Sequence, residues 1–398
     1  MKLVSKKFLL PFILITSLFF MWGFARAILD VLNKHFQESL SISITQSALI
    51  QATTYLGYFL MALPAGILIS RKGYRRGVVT GLLLFALGSF LFIPGERLLS
   101  FPIFLAALFV IGCGLVILET AANPYASELG DRSTAASRLN FAQSFNGLGC
   151  ILAPVIVGGF LFQEGGLAKV SVPYVIMGGA VLLVALIFTR VDLPEIISED
   201  SKEGTRKASF RENVSTLWGS RRFRLGILAL FCYEIAEISI NSLFINYATA
   251  DGWMSKTTAS LVLSFGALGL FMLARIAGSA VMSRIRAEKV LLFCSVMTVI
   301  GAVLVAANVG AISRAGVFIC YAFEAIMFPT IFAITIAGTP QHAVKTASSF
   351  LMMTPIGGAV GTLLMGYVAD LTSMSTAFLV PAIAYCFVLI YASQAKKI

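Results

Sequence analysis

The stretch GLVILETAANPYASEL, residues 114–129, sets an acid and a proline inside a run that is otherwise fit for oil. Glu119 closes the apolar part, and Asn123 and Pro124 follow about one helical turn later. Pro124 cannot donate to the carbonyl of Thr120, so a helix here is expected to bend and leave that carbonyl free. In lipid such a carbonyl is tolerated only against protein or a wet cavity. A carboxylate within a span likewise faces a bundle interior or a substrate path, and Asn123 shares the face of Glu119. The stretch reads as one wall of a polar cavity in a membrane protein. A structural glutamate bonded to a neighbouring helix is the plainer alternative.

The rest of the chain supports a membrane setting. Hydrophobic residues make up 58% of its 398 residues and charged ones 12%, about half the charge of a soluble domain; the mean hydropathy is +0.90. A spanning helix needs about 20 apolar residues. Runs of that kind lie near 8–32, 46–69, 77–95, 101–127, 137–162, 171–190, 223–249, 258–282, 288–308, 313–338, 346–369 and 374–393. Twelve transmembrane helices are expected. The alternation of a membrane β-barrel is absent.

Lys and Arg gather at one set of loop ends: Lys2, Lys6 and Lys7; Arg71, Lys72, Arg75 and Arg76; Arg284, Arg286 and Lys289; Lys396 and Lys397. The positive-inside rule then places both termini in the cytoplasm. It also accounts for the formal net charge of +11 without nucleic acid as a partner. The first apolar run is too long for the core of a secretory signal and reads as the first helix. The six cysteines fall singly within spans and do not form a disulfide or metal framework. With only His35 and His342 available, neither a metal nor a cofactor is expected.

Residues 190–224 form the one long polar connection, with basic residues suited to an interfacial helix. It divides the chain into a six-helix bundle over 1–192, a cytoplasmic linker over 193–222 and a second bundle over 223–398. The two parts echo each other. LGYFLMALPAGILISRKGYRR (56–76) is similar to LGLFMLARIAGSAVMSRIRAE (268–288), and Glu119-x-x-x-x-Pro124 returns as Glu324-x-x-x-x-Pro329. Repeated halves are a transporter architecture, with the site near the bilayer midplane. The tract GILISRKGYRRG also resembles the loop signature of the major facilitator superfamily. That resemblance implies close helix packing at Gly66 and a cytoplasmic gate formed by Gly66, Arg71, Gly73, Arg75 and Arg76. Ser70 stands where the signature usually has an acid.

Further polar residues extend the expected cavity. Asn140, Gln143 and Asn146 recur every third residue in the fifth run; such amides suit a hydroxyl-bearing ligand or serve as interhelical glue. Phe141 and Phe145 could stack on a sugar ring, although lipid-facing phenylalanine is commoner. Arg26 and Asp30 stand four apart in the first run, and Glu237 and Asn241 four apart in the seventh. Overlaying the halves sets Arg26 against Glu237, which would leave Asp30 free to take up a proton. Gln51 and Tyr55 add a polar strip, and Arg275 is a candidate partner for Glu324. No nucleophile–base set and no phosphate-binding glycine loop is present, so an enzyme is not expected.

The strings FFMWGFARAILDVLNKHF, LETAANPY, RLNFAQSFNGLGCILAP and IMFPTIFA resemble the fucose–galactose–glucose–proton symporters of the major facilitator superfamily over nearly the whole chain. The resemblance implies alternating-access uptake of a monosaccharide with a proton, in a cell (inner) membrane, by a monomer. It implies that Asp30 moves the proton, that Glu119 serves the sugar site and proton coupling, and that Gln143 and Asn146 contact sugar. Glu237 matches an acid often found in the seventh helix. Asn123, Gln51, Tyr55, Asn241 and Glu324 complete the expected substrate set. The chain departs from the family in carrying Arg26, Leu29 and Glu324. A uniporter or exporter of another polar solute, or a transporter-like sugar sensor, are the alternatives.

Overall fold

A computed structural model describes residues 4, 8–129, 135–162, 170–190, 210–282, 285–336, 339–340 and 343–395. Among them the chain is helical, with no strand, and twelve helical segments are long and apolar enough to cross a membrane. The spans are Leu9–Ser39, Ile44–Ile69, Arg71–Arg97, Phe101–Asn123, Phe141–Leu161, Ser171–Arg190, Arg221–Ala250, Lys256–Gly278, Ala287–Ala306, Gly310–Ile336, Thr346–Leu371 and Thr376–Gln394. We number them one to twelve. Asn140, Arg284, His342, Lys396, Lys397 and the stretch 191–209 lie outside the residues described at side-chain level. Of the long connection, Phe210–Gly219 forms a short helix.

The first span runs about seven residues past its apolar stretch, to Ser39. Its polar end is helical because its side chains have partners. Asn33 Nδ2 donates to the carbonyl of Ser242 at 3.0 Å, Asn246 Nδ2 to Gln37 Oε1 at 2.6 Å, and Lys256 pairs with Glu38 at 2.5 Å.

Packing divides the chain into two compact units. One comprises the described residues within Met1–Val31 and Thr53–Thr205, the other those within Leu32–Ala52 and Arg206–Ile398. In the first unit, spans two, three and four meet backbone to backbone. A Cβ on Gly57 would stand 2.6 Å from the Phe109 carbonyl oxygen, and one on Gly114 2.6 Å from that of Gly81. Small residues permit such approaches where lipid supplies no hydrophobic drive between helices. Gly66 is different from what the loop signature implies: nothing lies within 4 Å of where its Cβ would be. The close packing of span two occurs nine residues earlier, at Gly57, because there the helix faces span four.

In the second unit, spans nine and ten close on Gly301 and Gly316, each within 2.8 Å of the other's carbonyl by the same measure. Span eight carries a π-helical stretch at Val262–Leu268, a form that recurs at functional sites. The proline-linked repeat behaves differently in its two copies. The helix Phe101–Glu128 runs unbroken through Pro124. Around Pro329 one helix ends at Glu324 and the next begins at Met327.

Candidate functional site

In the first unit the polar residues of spans one, two, four and five form two linked groups. Arg26 Nε donates to the Tyr55 hydroxyl at 3.1 Å. Glu119 interacts electrostatically with Arg26, and Tyr58 lies in the field of Glu119, Tyr55 and Arg26. The Tyr55 and Tyr58 rings are 5.8 Å apart, as expected of residues three apart on one helix face. One turn beyond Glu119, Gln143 Nε2 donates to Asn123 Oδ1 at 3.1 Å. That bond ties span five to span four.

Asn146 is placed otherwise. Its Nδ2 donates to the backbone carbonyl of Phe19 at 3.3 Å. A Cβ on Gly23 would stand 2.8 Å from that same nitrogen, so spans one and five touch there. The amide is interhelical glue at this point. Phe141 is 47% exposed, and its ring rests against Phe12 and Phe145. An apolar hollow of about 380 Å³ between Phe20, Phe24, Ile156, Phe160 and Ile176 offers a hydroxylated ligand no hydrogen bond. Asp30 is buried, at 9% exposure.

Gly73, with φ 81° and ψ 165°, makes the break between spans two and three, a backbone conformation suited to glycine. Arg75 then reaches the end of span six: its Nε donates to the Phe188 carbonyl at 3.1 Å and its Nη2 to that of Thr189. A cation on the last carbonyls of a helix is favourable through both hydrogen bonding and the helix dipole. Arg71 and Arg76 are exposed.

In the second unit Asn241 Nδ2 donates to Glu237 Oε1 at 2.9 Å, so the two residues four apart share a face. Glu324 is fully buried, and the Tyr385 hydroxyl donates to its Oε2. Arg275 is not its ion-pair partner. The Arg275 Nε donates to the carbonyl of Ala325 at 3.0 Å, and its guanidinium lies 4.6 Å from the Phe271 ring. Gln51 is buried within the 32–52 stretch. Tyr58 and Tyr385 were not among the residues expected at the site. Tyr58 had a signal, being one turn from Tyr55; Tyr385, far along an ordinary apolar run, had none. Among the described residues no group of side chains could hold a metal ion.

The profile of the Major Facilitator Superfamily matches residues 15–352. The chain belongs to that superfamily. It is 34% identical over 413 residues to the L-fucose-proton symporter of Escherichia coli, covering 98% of this chain and 93% of the relative. It is 35% identical over 393 residues to the glucose/galactose transporter of Brucella abortus, covering 96% and 93%. The crystal structure of an E. coli fucose:proton symporter variant is also similar, at 34% identity and a TM-score of 0.73 over 98% of this chain and 99% of that one. The D-xylose-proton symporter, at 13% identity and a TM-score of 0.75, shares the fold. The chain is thus a multi-pass membrane transporter and not an enzyme.

Proposed function

We propose that this transporter carries a monosaccharide of the fucose, galactose, glucose or N-acetylglucosamine type across a cell (inner) membrane together with a proton, by alternating access. The observation that carries the reading is the grouping of Arg26, Tyr55, Tyr58 and Glu119 beside the Asn123–Gln143 pair in the first unit. A sugar presents many hydroxyls, each both donor and acceptor. A carboxylate, a guanidinium, two phenols and two amides match that demand with directional bonds. Relatives named as a fucose–proton symporter and a glucose/galactose transporter, at 34% and 35% identity, support the substrate class.

In this reading Glu119, Asn123, Gln143 and Tyr55 contact the sugar. Asn146 acts as a positioning residue through the Phe19 carbonyl, and Asp30 takes up the coupling proton. Glu237 and Asn241 supply the second unit's contribution, and Gln51 supports the polar strip. The residues 1–192 and 223–398 are the two moving halves, joined by 193–222. Both termini are cytoplasmic, the protein works as a monomer, and Arg71, Gly73, Arg75 and Arg76 serve the cytoplasmic gate. Reconstituted vesicles test the coupling. Asp30→Asn is expected to retain exchange of labelled sugar between equal pools and to lose accumulation driven by a pH gradient. Continued uphill accumulation by that variant would remove Asp30 as the coupling acid.

A further inference from the structure

The second unit holds a fully buried carboxylate, Glu324. Glu324 ends the helix Gly310–Glu324, where the chain breaks before Met327. Its side chain has no solvent exposure. One oxygen, Oε2, accepts the Tyr385 hydroxyl, and the other, Oε1, is buried with no hydrogen-bond partner among the described residues. The nearby base is occupied elsewhere: Pro329 lacks the N–H that would have served the Ala325 carbonyl, and Arg275 Nε serves it instead.

The groups around Glu324 can be enumerated helix by helix. From span seven come Tyr233, Glu234 and Glu237, from span eight Arg275, from its own span Cys320, and from span twelve Tyr385. Span nine has no charged side chain between Val290 and Ala306. Three carboxyl groups therefore share the neighbourhood of one guanidinium. A bare charge on Glu324 would have one neutral donor and no ion pair, an arrangement that buried carboxylates avoid by holding a proton.

We propose that Glu324 is a second proton-carrying acid of the transport cycle, binding the proton at Oε1, with Tyr385 as its positioning residue and Glu237 as the neighbouring charge that senses it. This rests on the transporter being proton-coupled. The step is a plain proton transfer: water on one side of the membrane gives up the proton, an O–H bond forms at Oε1, and that bond breaks when water on the other side takes the proton. No electrons change hands. Entry requires Oε1 to meet water, and the helix break lies beside it, at Ala325 and Ile326.

Infrared difference spectroscopy of the full-length protein in lipid, between acidic and alkaline buffer, tests the assignment independently of sugar. A carboxylic-acid carbonyl band that disappears on alkalinisation is expected. It should be lost in Glu324→Gln and shifted in frequency in Tyr385→Phe. The number of protons taken up per L-fucose, D-galactose or D-glucose entering proteoliposomes should fall in Glu324→Gln. A Glu324→Gln spectrum that keeps every titrating band of the wild type, or a Glu324 band that never titrates, overturns the proposal. Should Glu324→Gln fail to fold, Tyr385→Phe decides: an unshifted band is then the overturning result. If the wild type moves none of these sugars, the functional reading fails, whereas the infrared titration still decides the proton site.

Discussion

Arg275 donates to the carbonyl of Ala325, the one carbonyl in span ten that Pro329 leaves without its helical donor. The proline and the arginine are 54 positions apart and on different helices, yet each makes sense of the other. Proline removes an N–H and opens the helix; the guanidinium fills the vacancy with a charge-assisted bond.

Removing that cap is expected to cost stability. A hydrogen bond from a charged donor contributes about 1.5–3 kcal/mol, so Arg275→Ala should lower the melting temperature in detergent. Pro329→Ala returns an N–H to the Ala325 carbonyl. In that background Arg275→Ala should cost clearly less, and the double-mutant cycle measures the difference. Equal costs in the two backgrounds would mean that the bond carries no energy.

Much of this was readable beforehand, though unevenly. The apolar runs located all twelve spans, because lipid imposes one length and one chemistry on every crossing helix. The end of span one was missed for a physical reason. Residues 33–39 are polar, and hydropathy cannot foresee that Asn33, Gln37 and Glu38 find partners in Ser242, Asn246 and Lys256. The Glu–Pro repeat pointed to two special places. It could not show that one helix runs on through its proline while the other breaks, since tertiary partners such as Arg275 decide that outcome. The same limit hid Tyr385, whose role depends on which residue it faces.

Span two offers a contrast between two glycines. Gly57 abuts the Phe109 carbonyl, and Gly66 has open space. Forcing a methyl against fixed backbone typically costs about 1–3 kcal/mol, whereas Ala in place of a free helical Gly is favourable by roughly 0.5–1 kcal/mol. Gly57→Ala should therefore lower thermal stability and Gly66→Ala leave it unchanged or raise it. The reverse order would mean that spans two and four do not pack as described.

Glu119→Gln tests the sugar site. Glutamine keeps the shape and removes the charged acceptor, so a bond worth roughly 1.5–3 kcal/mol is weakened. Affinity for the transported sugar should drop about tenfold or more, with the melting temperature of the empty protein little changed. Titration calorimetry giving unaltered affinity would place Glu119 outside the site.

At the other end of span one, Asp370 holds the turn that leads into span two. Its carboxylate accepts from the Ile44 N–H at 3.1 Å, the Thr45 N–H at 2.8 Å and the Thr45 hydroxyl at 2.6 Å. Gly366 lies one turn earlier on the same helix, where a Cβ would stand 3.1 Å from Thr45 Cα, so the turn and span eleven meet without side chains between them. The site is exposed, which limits the contribution of each bond to the lower end of the usual 0.5–1.5 kcal/mol. Asp370→Ala removes all three acceptor contacts at once and should speed amide hydrogen exchange over Ile44–Ser47. Asp370→Asn retains one acceptor oxygen and should fall between the wild type and the alanine variant. Exchange in that segment unaffected by Asp370→Ala would show that the turn is held by the packing at Gly366 alone.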